Sequence, residues 1–118
     1  MLNKFKHAFN GVKVGLITDK SIRSHFIFAF LVVLMGIVFV LPLMQWAVLL
    51  LTISMVMVLE YVNSAIEVFA DRVHPDHHSA IKNTKDLTAA AVLLASICAF
   101  FIGIIIFLPP VLVMLRGI

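Results

Sequence analysis

The stretch FIFAFLVVLMGIVFVLPLMQWAVLLLTISMVMVL, residues 26–59, contains no Asp, Glu, Lys or Arg, and its reading decides the fold. With Ser24 and His25 in front of it, the charge-free run covers 36 residues. As one helix it would reach about 54 Å at 1.5 Å per residue, nearly twice the ~30 Å hydrocarbon core of a bilayer. Near its middle, Pro42 and Gln45 interrupt the apolar sequence, and Trp46 offers a ring suited to a membrane interface. The run therefore predicts two membrane helices joined by a tight reversal, the first over about residues 26–41 and the second starting near Trp46.

A second charge-free run covers residues 87–115 and predicts a third membrane helix over about 87–108, ending before Pro109-Pro110. The composition agrees: 63% of the 118 residues are hydrophobic and 13% are charged. A soluble domain of this length has too little interior to bury so much apolar side chain, which excludes an ordinary cytosolic globule. Cys98 is the sole cysteine, so no disulfide framework exists. The sequence carries no internal repeat or linker. It reads as a single all-α membrane domain over 1–118.

Ahead of the first run, Leu2, Phe5, Phe9, Val12 and Leu16 recur every three or four residues, with Lys4, Lys6, His7, Asn10 and Lys13 between them. That pattern predicts an amphipathic helix over 1–23 lying along the membrane surface. Lys and Arg concentrate here and in the 71–86 loop, with none in the first reversal. The positive-inside rule then places the N-terminus and that loop in the cytoplasm.

The second membrane helix is short of apolar residues. Trp46 to Leu59 spans only about 21 Å, so crossing the bilayer takes the helix on to about residue 70 and brings Glu60 and Asn63 to membrane level. Glu60, Asn63, Glu67 and Asp71 fall at roughly 0°, 300°, 340° and 20° around such a helix. An acidic stripe this narrow cannot face lipid and points to a functional site. A desolvated Glu60 suits a general base acting at headgroup depth. Glu67, with Asp19 or Asp71, could offer Mg²⁺ the one or two carboxylates it takes beside substrate phosphates. A structural cluster of ion pairs is the competing reading.

Asn83-Thr84-Lys85-Asp86 opens the third span, where Thr84 is a candidate N-cap and Lys85 a candidate phosphate contact. His74-Pro-Asp76-His77-His78 lacks zinc-site spacing and reads as a solvated loop with ligand contacts. Ala89, Ala90, Ala91, Ala95 and Ser96 permit close helix packing. No phosphate-binding loop, kinase catalytic loop or dinucleotide fingerprint is present, so nucleotide chemistry would need another architecture.

Glu60-Tyr-Val-Asn-Ser-Ala-Ile-Glu67-Val-Phe-Ala-Asp71, with Lys85-Asp86 fourteen residues later, resembles the prokaryotic diacylglycerol kinase/undecaprenol kinase family, and the likeness runs from about Phe5 to Leu108. The resemblance implies a small three-span inner-membrane enzyme, homotrimeric with shared active sites. Such an enzyme transfers the γ-phosphate of Mg-ATP to the hydroxyl of a membrane lipid. It implies Glu60 as catalytic base, with Asn63 and Asp71 in support. Glu67 and Asp19 would bind the metal, Asp19 standing where the family normally has Glu. His7, Glu67, Asp76, His77, His78, Lys85 and Asp86 would contact ATP.

His7-Ala-Phe-Asn-Gly11, Arg23-Ser-His25, Gln45-Trp-Ala-Val-Leu and Gly103-Ile-Ile-Ile-Phe-Leu-Pro109 look closer to the undecaprenol kinase branch. Undecaprenol is the first expectation for the lipid and diacylglycerol the alternative. No nucleic-acid partner is expected. From other classes, a proton or cation pathway and a non-catalytic membrane subunit are the competing readings of the same acids.

Overall fold

A computed structural model describes residues 1–73 and 79–117, and all regular structure among them is α-helix. The helices are α1 (Leu2–Thr18), α2 (Lys20–Val38), α3 (Leu43–Val73) and α4 (Ser79–Arg116). The last three are long and apolar enough to cross a membrane.

One residue separates the surface helix from the first span. Asp19 is extended (φ −117°, ψ 113°), and its N–H closes α1 on the Gly15 carbonyl. Its carboxylate then starts α2 by accepting from the N–H groups of Ser21 (2.9 Å) and Ile22 (3.3 Å). Arg23 reaches back across the joint and donates to the carbonyls of Leu16 (3.1 Å) and Ile17 (2.8 Å), which α1 leaves unpaired. The surface helix therefore ends at Thr18, not residue 23, and the first span begins at Lys20, not 26. The capping carboxylate lets a polar first turn join the apolar run.

The reversal between α2 and α3 also differs from the sequence expectation. Helix α2 stops at Val38, where Val40 N–H donates to Ile37 O and Leu41 N–H to Gly36 O, each at 3.2 Å. These are the bonds of a Schellman cap, with Val40 at φ 52° in the position that usually takes glycine. A β-branched residue is rare in this left-handed region. Gly36 makes room for the turn, since a Cβ there would lie 2.7 Å from Trp46 Cη2 and 3.2 Å from Leu41 Cδ1. Trp46 thus packs over Gly36, and α3 begins three residues before it, at Leu43.

Helices α3 and α4 exceed their expected spans of 46–70 and 87–108. The 31 residues of α3 make a rod of about 46 Å, and the 38 of α4 one of about 57 Å. Helix α4 runs through Pro109 and Pro110 to Arg116. Each proline deprives a carbonyl four residues back of its N–H donor, which usually ends a helix. Here the flanking residues are apolar, and in an apolar medium helix is the one conformation that pairs the remaining backbone internally. The start of α4 at Ser79 removes the N-cap expected at Thr84, whose hydroxyl instead donates to Ala80 O (2.9 Å) from inside the helix.

The small apolar core lies at the reversal end of the bundle. Leu41, Leu49, Ile106 and Phe107 are buried together, and Phe39 packs on Phe107 with ring centroids 6.3 Å apart. Most large apolar side chains stay outside it. Phe28, Phe30, Leu51 and Phe100 are all more than 60% exposed. On a water-facing chain such a surface would aggregate, whereas in a bilayer it is the solvated face. The protein is a membrane protein.

Candidate active site

The acidic stripe forms on α3 as the 3.6-residue period requires, and it is graded in exposure. Glu60 is buried at 5% exposure, Asn63 and Glu67 are half-buried, and Asp71 is exposed. The buried end meets the start of α2. His25 Nε2 lies 3.5 Å from Glu60 Oε2, and the Ser64 hydroxyl, one turn along from Glu60, donates to Asp19 Oδ2. Asp19 and Glu67 both act electrostatically on Glu60. Asn63 Oδ1 is buried and has no hydrogen-bond partner among the described residues.

Asp19 both caps α2 and accepts from the Ser64 hydroxyl of α3. Burial on its own would raise its pKa. The opposing hydrogen bonds from Ser64, Ile22 and Ser21, with the charge of Arg23, outweigh burial and hold the carboxyl below its ordinary value.

At the exposed end, Lys85 of α4 pairs with Asp71 and also feels the charge of Glu67. Asp86 pairs with Lys82 at 2.7 Å, one turn away on the same helix. Lys85 thus stands beside the stripe, while Asp86 is held on its own helix. Lys85 does so from the flank of a helix and not from a helix N-terminus. His7 is exposed on α1, and among the described residues no hydrogen bond or ion pair joins it to the stripe. Asp76, His77 and His78 lie outside the described residues. Among those described, no three His, Cys, Asp or Glu side chains converge closely enough to hold a metal by themselves.

Three contributors were not legible as site residues. In the sequence His25 marks the start of an apolar run and ends the branch-like string Arg23-Ser-His25, and Ser64 and Tyr61 stand inside the motif with no role of their own. Tyr61 seats α1 on α3: its hydroxyl donates to Val12 O (2.9 Å), and its ring fills the gap left by Gly15. A partner across helices leaves no trace in the period of either helix. The i, i+4 spacing from Glu60 was the one available signal for Ser64.

Beside the stripe, α2, α3 and α4 line a partly open apolar cavity of about 760 Å³. His25 borders it at the end near Glu60, and Leu108 and Val111 at the other. Ala29, Ala99 and Gly103 keep it open; a Cβ added at Gly103 would meet nothing within 4 Å. A slot of this kind suits a chain-like apolar ligand whose polar end reaches the carboxylate.

Residues 6–107 match the sequence model of a family described as prokaryotic diacylglycerol kinase. The chain belongs to this family. Among its relatives, a diacylglycerol kinase of Synechocystis is 36% identical over 113 residues, covering 95% of this chain and 65% of that protein. The undecaprenol kinase of Bacillus subtilis is 32% identical over 105 residues, covering 89% of this chain and 85% of that one. The diacylglycerol kinase of Escherichia coli is 28% identical over 93 residues, with 79% and 76% covered. Within the family match lie the acidic stripe, the joint at Asp19 and the Lys85-Asp86 pair.

Proposed function

We propose that the protein is a lipid kinase that transfers the γ-phosphate of ATP to the hydroxyl of a membrane lipid, undecaprenol first. The observation that carries this is the buried Glu60 carboxylate, paired with a histidine that also borders an apolar cavity. Glu60 takes the proton of the lipid hydroxyl as that oxygen attacks the γ-phosphorus in line. The bond to the β–γ bridging oxygen breaks, and ADP leaves.

Family membership supports ATP as donor. The donors around the stripe are all oxygens, which suits Mg²⁺: Glu67 and Asp19 would hold it together with the phosphates, and Asn63 Oδ1 lacks a partner of its own. A bound Mg²⁺ neutralises charge on the triphosphate. Lys85 leaves Asp71 to meet phosphate, while Asp86, His7, Asp76, His77 and His78 complete the nucleotide contacts. The broad exposed apolar surface and the small residues of α4 fit a homotrimer with shared sites. The basic N-terminal segment and residues 71–86, most of which lie on the ends of α3 and α4, fit an inner-membrane enzyme with both on the cytoplasmic side.

The Bacillus subtilis relative, matched over most of its length, supports undecaprenol. The identity to the Synechocystis enzyme favours diacylglycerol as the second reading. Detergent-solubilised protein assayed with each lipid and labelled ATP decides between them. Phosphorylation of undecaprenol in preference is expected; a clear preference for diacylglycerol reverses the order, and labelling of neither ends the proposal.

A further inference from the structure

The pairing of α2 with the buried carboxylate of α3 has a functional side. We propose that His25 is a positioning residue for Glu60, fixing its carboxylate toward the apolar cavity so that it can receive the lipid hydroxyl proton. This rests on the reading of Glu60 as the base.

Glu60 is one of the few buried side chains in the protein and the one buried charged residue among those described. A carboxylate removed from water needs a partner that holds it. The titratable groups facing Glu60 are Asp19 from the α1–α2 joint and Glu67 from its own helix, both acidic like Glu60, and the His25 imidazole from α2. Among the described residues, His25 Nε2, 3.5 Å from Oε2, is the one polar side-chain partner that Glu60 has. The carboxylate's orientation therefore depends on a single imidazole.

That imidazole is placed for more than packing. Its side chain is 29% exposed against 7% for Glu60, and its open side lines the cavity. The same ring thus touches both the carboxylate and the space in which an acceptor would lie. Met57, three residues before Glu60 on α3, lines the cavity too, so the carboxylate sits one turn beyond its wall. A lipid whose chain fills the cavity brings its hydroxyl end to the His25–Glu60 pair. Without the imidazole, the carboxylate would keep no polar side-chain partner to hold it at that point.

The test compares His25→Leu, which removes the nitrogen donors at similar volume, with His25→Gln, which keeps an N–H donor at similar reach. Both are measured in the full-length, detergent-solubilised protein with lipid and Mg-ATP, and the stoichiometry of ATP binding in the same preparation counts the folded fraction. Misplacing a catalytic group by about 1 Å costs ~100-fold, so His25→Leu is expected to lower kcat by roughly that factor, leaving KM for ATP within about twofold. His25→Gln is expected to recover at least about tenfold of the lost kcat. Wild-type kcat in His25→Leu overturns the proposal, as does equal loss in both variants or loss that only follows the folded fraction. Glu60→Gln, assayed alongside, separates the two ideas. If it is inactive while His25→Leu is fully active, positioning fails and the base stands. If Glu60→Gln retains activity, the base reading fails and the proposal with it.

Discussion

The aromatic ring of Tyr61 lies against the backbone of Gly15 with no room between them. A Cβ on Gly15 would collide with Tyr61 Cε1 and stand 2.9 Å from Cζ. The surface helix α1 is thereby seated on the membrane helix that carries the acidic stripe, and the Tyr61 hydroxyl fastens the seat at Val12 O.

Gly15→Ala should unseat α1. The overpacked ring must shift, at a cost of about 1–3 kcal/mol, and the amphipathic helix becomes open to proteolysis ahead of the bundle. Limited proteolysis and thermal unfolding in one detergent read both effects. Adding Tyr61→Ala should restore part of the loss, because the clash then has no partner. Full additivity of the two changes would contradict the packing described.

Glu60→Gln should abolish lipid phosphorylation. The amide keeps the shape of the carboxylate but cannot accept the hydroxyl proton, and a general base contributes about 10²–10⁴-fold. ATP affinity, measured by equilibrium binding, should change by less than about twofold, since Glu60 is not among the proposed nucleotide contacts.

Asp19 carries a pH signature. Its carboxyl is held below the ordinary value of 3.8 in the folded protein, so its contribution to stability is complete above that value. The contribution is lost as pH falls through the lower folded value. Thermal midpoints of the wild type should therefore drop over roughly pH 4 to 2, and Asp19→Asn, which keeps the helix cap without the titrating charge, should remove this part of the drop. Identical acid profiles for the two proteins would show that the cap contributes no pH dependence.

Gly103→Phe should close the apolar cavity. A Cβ there meets nothing within 4 Å and Gly103 lines the cavity, so the added ring is expected to occupy that space. The expected result is a rise of about tenfold in KM for the lipid, with ATP binding and fold unaffected, read by steady-state kinetics at varied lipid mole fraction. An unchanged lipid KM would separate the cavity from the acceptor.

The charge-free runs located three membrane helices because lipid tolerates few charges, and that constraint is written directly in composition. The helix ends were less legible, each for its own reason. Asp19 looked like a site acid and also caps α2, so span one starts earlier than its apolar residues do. Val40 closes α2 in a conformation that its side chain gives no hint of. Pro109 and Pro110 read as terminators, yet the apolar surroundings keep α4 helical beyond them. Within the candidate site, the period of α3 aligned its acids correctly. The contacts from other helices, His25 to Glu60 and Ser64 to Asp19, depend on how two helices meet, which no single helix's pattern records.

The unbroken length of α3 makes it a ruler. Leu43 follows the reversal directly, and Glu60 stands 17 residues along the same helix, about 25 Å away. The leaflet that holds the turn thus sets the depth of the carboxylate in the opposite one. A bilayer a few ångströms thinner or thicker shifts Glu60 relative to the headgroups unless α3 tilts to compensate. If Glu60 is the base proposed above, membrane thickness becomes a variable of the reaction centre itself, transmitted through one uninterrupted helix.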